Sequence, residues 1–201
     1  MNRIPESLGK KEQNPRISLA GRILIAAPGM QDPVFCRSVC IVVEHSAEQT
    51  IGIMLNRRLA VDSGAFLEQL LDGAVSTEST ISYVNFGGPQ NGPVLAIHDN
   101  QQLAEGGNSL GVYLSAQTDT LKKLAITTPE HCRLFVGHAV WQVSQLETEI
   151  INGDWHVLPA VPELVFADEH IMWSRGIQTI GNGIVQAATG LSSVMAQPNL
   201  N

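Results

Sequence analysis

The segment SVCIVVEHSAEQTIGIMLN, residues 38–56, decides the fold. Two apolar runs, SVCIVVE and IGIMLN, are separated by a short polar turn, and so short a connection between two strands favours an antiparallel hairpin. The first run is apolar at nearly every position, which indicates a strand that is buried on both faces. The sequence therefore predicts a β-hairpin with one strand in the interior of a sheet.

Further strands and isolated helices are predicted on both sides of this hairpin. Runs of strands with single helices between them are typical of an α+β fold with a mixed sheet. The sequence has no internal repeat and no dividing linker, so residues 18–181 are predicted to form one domain between a flexible arm, residues 1–17, and a loosely ordered tail, residues 182–201. Strands are predicted over residues 21–27, 81–86, 93–98, 111–115, 133–137 and 155–158, and helices over residues 62–71, 119–125, 144–151 and 168–179.

Composition narrows the classes of function. The chain has 201 residues and a formal net charge of −7, which disfavours nucleic-acid binding because that needs a basic face. The doublets Lys10-Lys11, Arg57-Arg58 and Lys122-Lys123 are predicted to be solvated surface pairs. No stretch approaches the roughly 20 apolar residues of a membrane span, and the N-terminus lacks the apolar core of a signal peptide. We therefore predict a cytoplasmic protein with no membrane partner.

The three cysteines, Cys36, Cys40 and Cys132, do not suggest a disulfide framework, because their number is odd. Cys36 and Cys40 fall in a strand-like segment, where residues four apart lie about 13 Å from each other, too far for a disulfide. They also lack the Cys-x-x-Cys spacing that metal sites favour. We predict that both are buried, unlinked core residues.

Three histidines, His45, His98 and His138, stand at the ends of predicted strands. If those ends converge, the three could bind a metal, with Asp99 or Glu44 as a hydrogen-bond partner behind them. No two of them share a spacing such as His-Glu-x-x-His, which makes metal motifs recognisable. The sequence therefore predicts no metal site, and the three histidines remain the alternative.

The segment Gly87-Gly88-Pro89 has two interpretations. Successive backbone amides could form a nest for an anion, but Gly and Pro are also the residues of a tight turn, which we favour. No phosphate-binding loop of the G-x-x-x-x-G-K-[ST] type is present, and the Gly-x-Ser-x-Gly pattern at Ser109 follows a polar loop rather than a buried strand. We therefore predict no cofactor.

Seven short motifs follow one another along the chain: GRILIAAPGMQDPVFCRSVCIVVEH, IGIMLN, NFGGP, LAIH, GVYLS, FVGHAVWQVSQLETEI and NGDWHVLP. In their order and spacing they resemble the AlgH/YqgE family of bacterial proteins, whose activity is not established. The resemblance covers about residues 19–181 and implies a bifurcated, mostly antiparallel sheet rolled into a pseudo-barrel with a few flanking helices. Some members are labelled transcriptional regulators, a role that the acidic charge does not support as direct DNA binding.

The chain departs from the family pattern at two places. It reads Asn56-Arg57-Arg58 where the family usually has Asn-Arg-Pro. It also carries His138 where the family usually has Tyr, which argues against a family-wide catalytic histidine at that position.

The predicted helix 144–151 offers a candidate contact surface. Val143, Leu146 and Ile150 share its buried face. Ser144 and Glu147 have the spacing of a capping box. Gln145 and Glu149 remain on the opposite face, in a motif that the family shares; they either hydrogen-bond a neighbouring loop or, beside an exposed Trp141, form a polar interface. Trp141, Trp155 and Trp173 are interpreted most simply as core or core-edge aromatics. The candidate contact residues are Trp141, Gln145, Glu149, Gly87, Gly88 and Pro89.

Three functions therefore compete. The first is a non-enzymatic protein that acts through contacts with an unknown protein partner, with regulation as an extension of that role. The second is a small hydrolase or metal-dependent enzyme that uses the strand-end histidines. The third is a transcriptional regulator, which the net charge disfavours.

Overall fold

The structure is a computed structural model, and it describes residues 18–60, 84–127 and 129–189, together with residues 65, 66 and 68. The predicted hairpin is confirmed: β2, Val39–His45, pairs antiparallel with β3, Gln49–Met54. A bulge between Val42 and Glu44 shifts the register near the turn. Val39, Cys40, Ile41 and Val42 are buried, as a strand covered on both faces requires.

The strands of the described residues form two five-stranded sheets. The first has the order β10-β1-β2-β3-β9 and is antiparallel throughout, while the second has the order β4-β8-β5-β7-β6 and contains one parallel pair, β4 with β8. The other strands are β1 Arg22–Ala26, β4 Val84–Phe86, β5 Leu95–His98, β6 Gly106–Gly107, β7 Tyr113–Ser115, β8 Cys132–Val136, β9 Ala139–Gln142 and β10 Trp155–Pro159.

The two sheets meet beyond the end of β3. The Met54 amide donates to the Gly87 carbonyl at 2.7 Å, and Arg58 forms an isolated bridge with Asn85. The α+β class with mostly antiparallel strands is thus confirmed. The sheets do not close into a barrel in the described residues, so the predicted pseudo-barrel is not confirmed.

Four α-helices and one 3-10 helix, Gln101–Leu103, have both ends within the described residues; the α-helices are α1 Thr118–Thr127, α2 Val143–Ile151, α3 Pro162–Val165 and α4 Glu169–Thr189. Residues 65, 66 and 68, within the predicted helix 62–71, are also helical. Helix α4 runs ten residues past its predicted end at residue 179, so residues 182–189, predicted to begin the loose tail, are helical. Ile180, the first residue past the predicted end, still packs on the core, and the glycines that follow weaken a helix by about 1 kcal/mol each without ending it.

Some predictions fall wholly or largely outside the described residues. These are the N-terminal arm 1–17, most of the helix 62–71 and the remainder of the tail, residues 190–201. No helix in the described part of the chain combines the length and the apolar character that crossing a membrane would require.

The core lies on both faces of the first sheet. One face packs against the second sheet and against helix α4, where Gly176 allows close contact with Ile25. The other face carries an aromatic cluster with Trp141 and Trp155, covered by Leu146 of helix α2 and by Phe35 of the loop before β2. This arrangement holds the loop 27–38, the end of β3 and the start of α4 near one corner of the molecule.

Candidate functional site

Trp141 does not form an exposed anchor. It is only 2% exposed, and its ring lies 5.4 Å from that of Phe35 and 5.8 Å from that of Trp155. The interface hypothesis, which needed Trp141 to be exposed, is wrong on this point because a strand was missed: β9 starts at Ala139, and alternation along it turns Ala139 and Trp141 inward. Trp141 is a core residue.

Gln145 and Glu149 are bonded to each other and to the core. The Gln145 amide donates to Glu149 Oε1 at 2.8 Å, and the Trp155 indole nitrogen donates to Glu149 Oε2, also at 2.8 Å. These bonds favour the internal interpretation for Glu149 over the interface. The predicted capping box is wrong, because helix α2 begins directly from β9 with Gln142 at the cap position and no side-chain cap bond.

At the glycine segment, two backbone segments of the chain cross in close contact. We call this the glycine crossing; it is made of Gly87, Gly88, Gly137 and His138. The Gly87 amide donates to the Val136 carbonyl at 2.7 Å, so it is not available to an anion. A Cβ on Gly87 or Gly88 would overlap backbone atoms of Gly137 or His138. Pro89 follows at the surface. The geometry supports the turn and close packing rather than an anion nest.

The three histidines do not share a site. His45 lies on the first sheet, where Nδ1 is 2.8 Å from Thr50 Oγ1, whereas His98 lies on the second sheet, with Nε2 3.0 Å from Ser115 Oγ. Burial lowers the pKa of His98, against the opposing effect of the Asp99 charge. In the part of the chain that the structure describes, one set of His, Cys, Asp and Glu side chains is close enough together to share an ion. It contains none of these three histidines. The three-histidine alternative is therefore wrong.

The cysteines are all free thiols. Cys40 is buried as predicted, but Cys36 is only half-buried because it lies in the loop before β2. Burial raises the pKa of the Cys40 thiol to about 12, and burial together with the Asp99 charge raises the pKa of Cys132 to about 12. Thiols of this kind are poor nucleophiles at neutral pH.

Arginine side chains converge at the corner where the loop 27–38, the end of β3 and the start of α4 meet. We call this set the arginine corner: Arg37, Arg57 and Arg58 at the surface, with Arg133 and Glu169 beneath them. Four of the eight Lys and Arg residues in the described ranges belong to it. In a chain of net charge −7 this is a concentrated basic spot.

The outer arginines are held by the loop that precedes β2. Arg37 has φ 53°, an uncommon conformation for a residue other than glycine. Its carbonyl accepts a bond from Asn56 Nδ2 at 2.9 Å, while Asn56 Oδ1 accepts one from the Val39 amide at 2.9 Å. Arg57 Nη2 donates to the Cys36 carbonyl at 2.6 Å. The exposed Arg37 guanidinium lies 5.5 Å from the Trp173 ring centre, within cation–π range.

A buried charge network supports the corner from below. Glu169, whose side chain is 5% exposed, pairs with Arg58 Nε and lies 3.8 Å from Arg133 Nη2. The same Arg133 nitrogen donates to the Leu55 carbonyl at 2.7 Å and to Asn85 Oδ1 at 3.1 Å. Since Arg58 is 48% exposed, it links this network to solvent.

Sequence reasoning missed this corner. Arg57 and Arg58 were predicted to be an ordinary solvated pair, yet Arg57 donates to the backbone carbonyls of Asn56 and Cys36, and Arg58 pairs with the buried Glu169. One usable signal was the departure from the family pattern at Arg58. The positive φ of Arg37 and its approach to Trp173 depend on contacts 136 positions apart and had no signature in the sequence.

Comparison with known proteins establishes the family. Residues 23–184 match the AlgH-like family, DUF179, and the chain belongs to it. A UPF0301 protein of Thermobifida fusca is 33% identical over 189 residues, which is 87% of this chain and 93% of the relative. A UPF0301 protein of Nitrobacter hamburgensis is 36% identical over 176 residues, covering 81% and 82% of the two chains.

Two solved structures are similar to this fold. The solution structure of the AlgH protein from Pseudomonas aeruginosa has a TM-score of 0.62 and 26% identity, covering 94% of this chain and 100% of that one. The crystal structure of protein DIP2367 from Corynebacterium diphtheriae has a TM-score of 0.64 and 27% identity, covering 81% and 87%. The chain is therefore a bacterial α+β protein of the AlgH-like family.

Proposed function

We propose that this protein acts in the cytoplasm by binding a partner protein, and that the arginine corner receives an acidic segment of that partner. The role is non-enzymatic, and regulation by the bound partner is its natural extension. Three free cysteines support a reducing compartment. A surface patch of arginines beside an aromatic ring is a typical anchor for protein contacts.

The observation that carries this proposal is the backbone conformation of Arg37. A non-glycine residue at positive φ costs of order 1 kcal/mol. Glycine would adopt the same turn without that cost. A strained backbone at a residue with an exposed, charged side chain supports a role for that side chain, because the fold alone does not require an arginine there.

The chemistry of the corner favours a short acidic segment over nucleic acid. Arginine guanidinium groups bind carboxylates through paired hydrogen bonds. A duplex presents a long row of phosphates, whereas this corner is local and the whole chain is acidic. Direct DNA binding, the regulator alternative, is therefore kept as one outcome of the experiment below.

The enzyme alternative receives less support from the described residues. The best histidine–hydroxyl pair is His98 with Ser115, but both are fully buried, and the Ser115 hydroxyl already donates to the Leu103 carbonyl at 2.6 Å. A substrate would have to enter the core to reach them. Burial also keeps the thiols of Cys40 and Cys132 protonated.

The proposal is tested with a fluorescein-labelled peptide of twelve residues rich in Asp and Glu, followed by fluorescence anisotropy at low salt. We expect binding that weakens with salt and that Arg37→Glu reduces at least about tenfold. The matched control is Arg22→Glu, which reverses one exposed charge on β1. Equal effects of the two variants would reduce the result to net charge and overturn the proposal.

A labelled duplex of mixed sequence forms the second arm. We expect no salt-sensitive binding of the duplex under conditions where the acidic peptide binds. Duplex binding that depends on Arg37, without peptide binding, would favour the regulator alternative instead.

A further inference from the structure

We propose that Asp99, Glu130 and His131 form a surface site for a divalent first-row transition-metal ion. The inference is independent of the arginine corner. One potential ligand atom from each residue lies within 4.8 Å of the other two. In the part of the chain that the structure describes, no second such group of acid, His and Cys side chains is found.

The site lies where strand β5 ends and its neighbour in the second sheet, β8, begins. The register of β5 and β8 ends with His98 opposite Cys132, so Asp99 and His131 are the next residues on either strand. They continue the pairing, because the Asp99 amide donates to the His131 carbonyl and the His131 amide donates to Asp99 Oδ2, both at 3.2 Å. Two of the three ligands are thus positioned by the sheet itself.

The His131 ring is also held in orientation. It stacks on the Phe166 ring with centres 4.7 Å apart and planes 12° from parallel. An oriented imidazole loses little freedom on binding an ion, which favours affinity. Glu130 is exposed and adjoins His131 in the chain, so it supplies the mobile third ligand.

The spacing suits an ion once Glu130 adjusts. Ligands about 2.1 Å from one ion lie about 3 to 4 Å from each other. A maximum separation of 4.8 Å is slightly wider, and one exposed glutamate can close that gap. An ion would also offset the repulsion between the two neighbouring carboxylates.

The donor set selects the class of ion. Two carboxylates and one imidazole suit Mn²⁺, Co²⁺ or Zn²⁺, whereas Ca²⁺ and Mg²⁺ favour sites made of oxygen alone. Three protein ligands leave positions open to solvent. A cavity of about 180 Å³ adjoins the site, with Glu130 and His131 in its wall, and gives room for water or a small ligand on the ion.

There is a competing interpretation in which Asp99 only continues the strand pairing through its bond to the His131 amide. That role uses one carboxylate oxygen and needs neither Glu130 nor the imidazole. The two interpretations therefore differ in whether Glu130 and the His131 ring bind an ion. If Asp99 only continues the strand pairing, replacing either side chain has no effect on ion binding.

The experiment uses the full chain and Co²⁺ alone, because its visible absorption reports the number and type of ligands. We expect saturable binding of one Co²⁺ per chain, with a dissociation constant raised at least about tenfold by His131→Ala and by Glu130→Gln. Zn²⁺ should compete for the same site and raise the melting temperature of the wild type but not of His131→Ala.

The matched control is His170→Ala, which removes another histidine beside acidic residues, with a side chain that is 79% exposed. If this variant weakens Co²⁺ binding as much as His131→Ala does, the ion binds surface histidines without a defined site and the proposal fails. The absence of stoichiometric binding, or retention of full affinity in both Glu130→Gln and His131→Ala, would overturn it as well.

Discussion

The glycine crossing and the arginine corner both bend the backbone to positive φ, but with opposite residue choices. At the crossing, Gly88 has φ 152° and Gly137 has φ 76°, and Cβ atoms added there would overlap the backbone of the other crossing segment. At the corner, Arg37 has φ 53° with an exposed side chain. The first region places glycine where the fold requires it, and the second keeps a charged residue in a conformation that glycine adopts without strain.

This difference separates positions that serve folding from one that we propose serves binding. Where two backbones pack against each other, the absence of a side chain is the requirement, and no binding role needs to be invoked. Where a strained position carries a guanidinium over an aromatic ring, the side chain itself is the feature to be explained. The following predictions test that comparison, from the largest expected effect to the smallest.

Gly88→Ala is expected to have the largest effect on stability. The new methyl group would meet the backbone of His138 at a φ that alanine rarely adopts, so we expect a loss of about 3 kcal/mol or more, or no folded protein at all. Urea unfolding followed by circular dichroism measures it.

Two other glycines separate the causes of that loss. Gly153 has φ 81° but open space around it, so Gly153→Ala should lose only about 1 kcal/mol. Gly181 lies in helix α4 with nothing within 4 Å, and Gly181→Ala should stabilise by up to about 1 kcal/mol. A Gly88→Ala loss no greater than that of Gly153→Ala would show that the crossing is not tightly packed.

Glu169→Gln tests the support beneath the arginine corner. Removing the carboxylate leaves the buried Arg133 without its nearby negative charge, and we expect a loss of about 2 kcal/mol. The control is Glu48→Gln in the exposed hairpin turn, which should change stability by less than about 0.5 kcal/mol. Equal, small effects would mean that the corner does not depend on the buried network.

Thiol labelling distinguishes the half-buried loop at the arginine corner from the buried strand β2. Cys36 lies in the half-buried loop beside Arg37, whereas the Cys40 thiol is buried, with its pKa raised to about 12. Mass spectrometry after iodoacetamide treatment at pH 8 should show Cys36 modified at least about tenfold faster than Cys40. Rapid labelling of Cys40 in the native protein would contradict the burial of β2.

Stability should also depend on pH in the alkaline range because of the same thiol. The pKa of Cys40 is raised above its ordinary value of 9.0, so the folded state keeps its proton while the unfolded state loses it. Its contribution is fully present below pH 9 and is lost progressively between pH 9 and about 12. Cys40→Ala should make the fall in urea midpoint from pH 8 to pH 10.5 shallower.

Glu149→Ala and Gln145→Ala test the helix that sequence analysis singled out. Loss of Glu149 leaves the Trp155 indole without its acceptor, so we expect about 1 kcal/mol of destabilisation. Gln145 donates only to Glu149 at the surface, and its removal should change stability by less than about 0.5 kcal/mol. Equal effects would contradict the internal role that the structure gives to Glu149.

Sequence patterns predicted the parts of this molecule that local physics determines. The hairpin 38–56 and the helix Thr118–Thr127 follow from apolar runs and short connections. The strand β9 was missed because only two of its residues face the core, so its short alternation gives little signal. The interface hypothesis consequently treated Trp141 as exposed, although it is a core residue.

The candidate sites were harder to predict because they depend on tertiary contacts. Asp99 and His131 are adjacent only after β5 and β8 pair, and Arg37 meets Trp173 only after helix α4 docks. The histidines at strand ends were a reasonable choice of ligands, yet two of them lie on different sheets. Strand ends were predictable, whereas which ends become neighbours was not.

Arg37→Gly is expected to have the smallest effect on stability, and its sign decides the comparison. Glycine removes the strain of about 1 kcal/mol at φ 53° but also removes the contact with Trp173 and adds freedom to the unfolded chain. These contributions nearly cancel, so we expect a change within about 0.5 kcal/mol by urea unfolding.

Arg37→Val is the matched variant: it loses the same charge but keeps a branched side chain at positive φ, and should lose about 1 kcal/mol more than Arg37→Gly. Equal stabilities of the two variants would show that the position is unstrained. If Arg37→Gly is as stable as the wild type and no longer binds the acidic peptide, the residue serves binding rather than folding; unchanged peptide affinity in that stable variant would instead remove the arginine corner from consideration as a binding site.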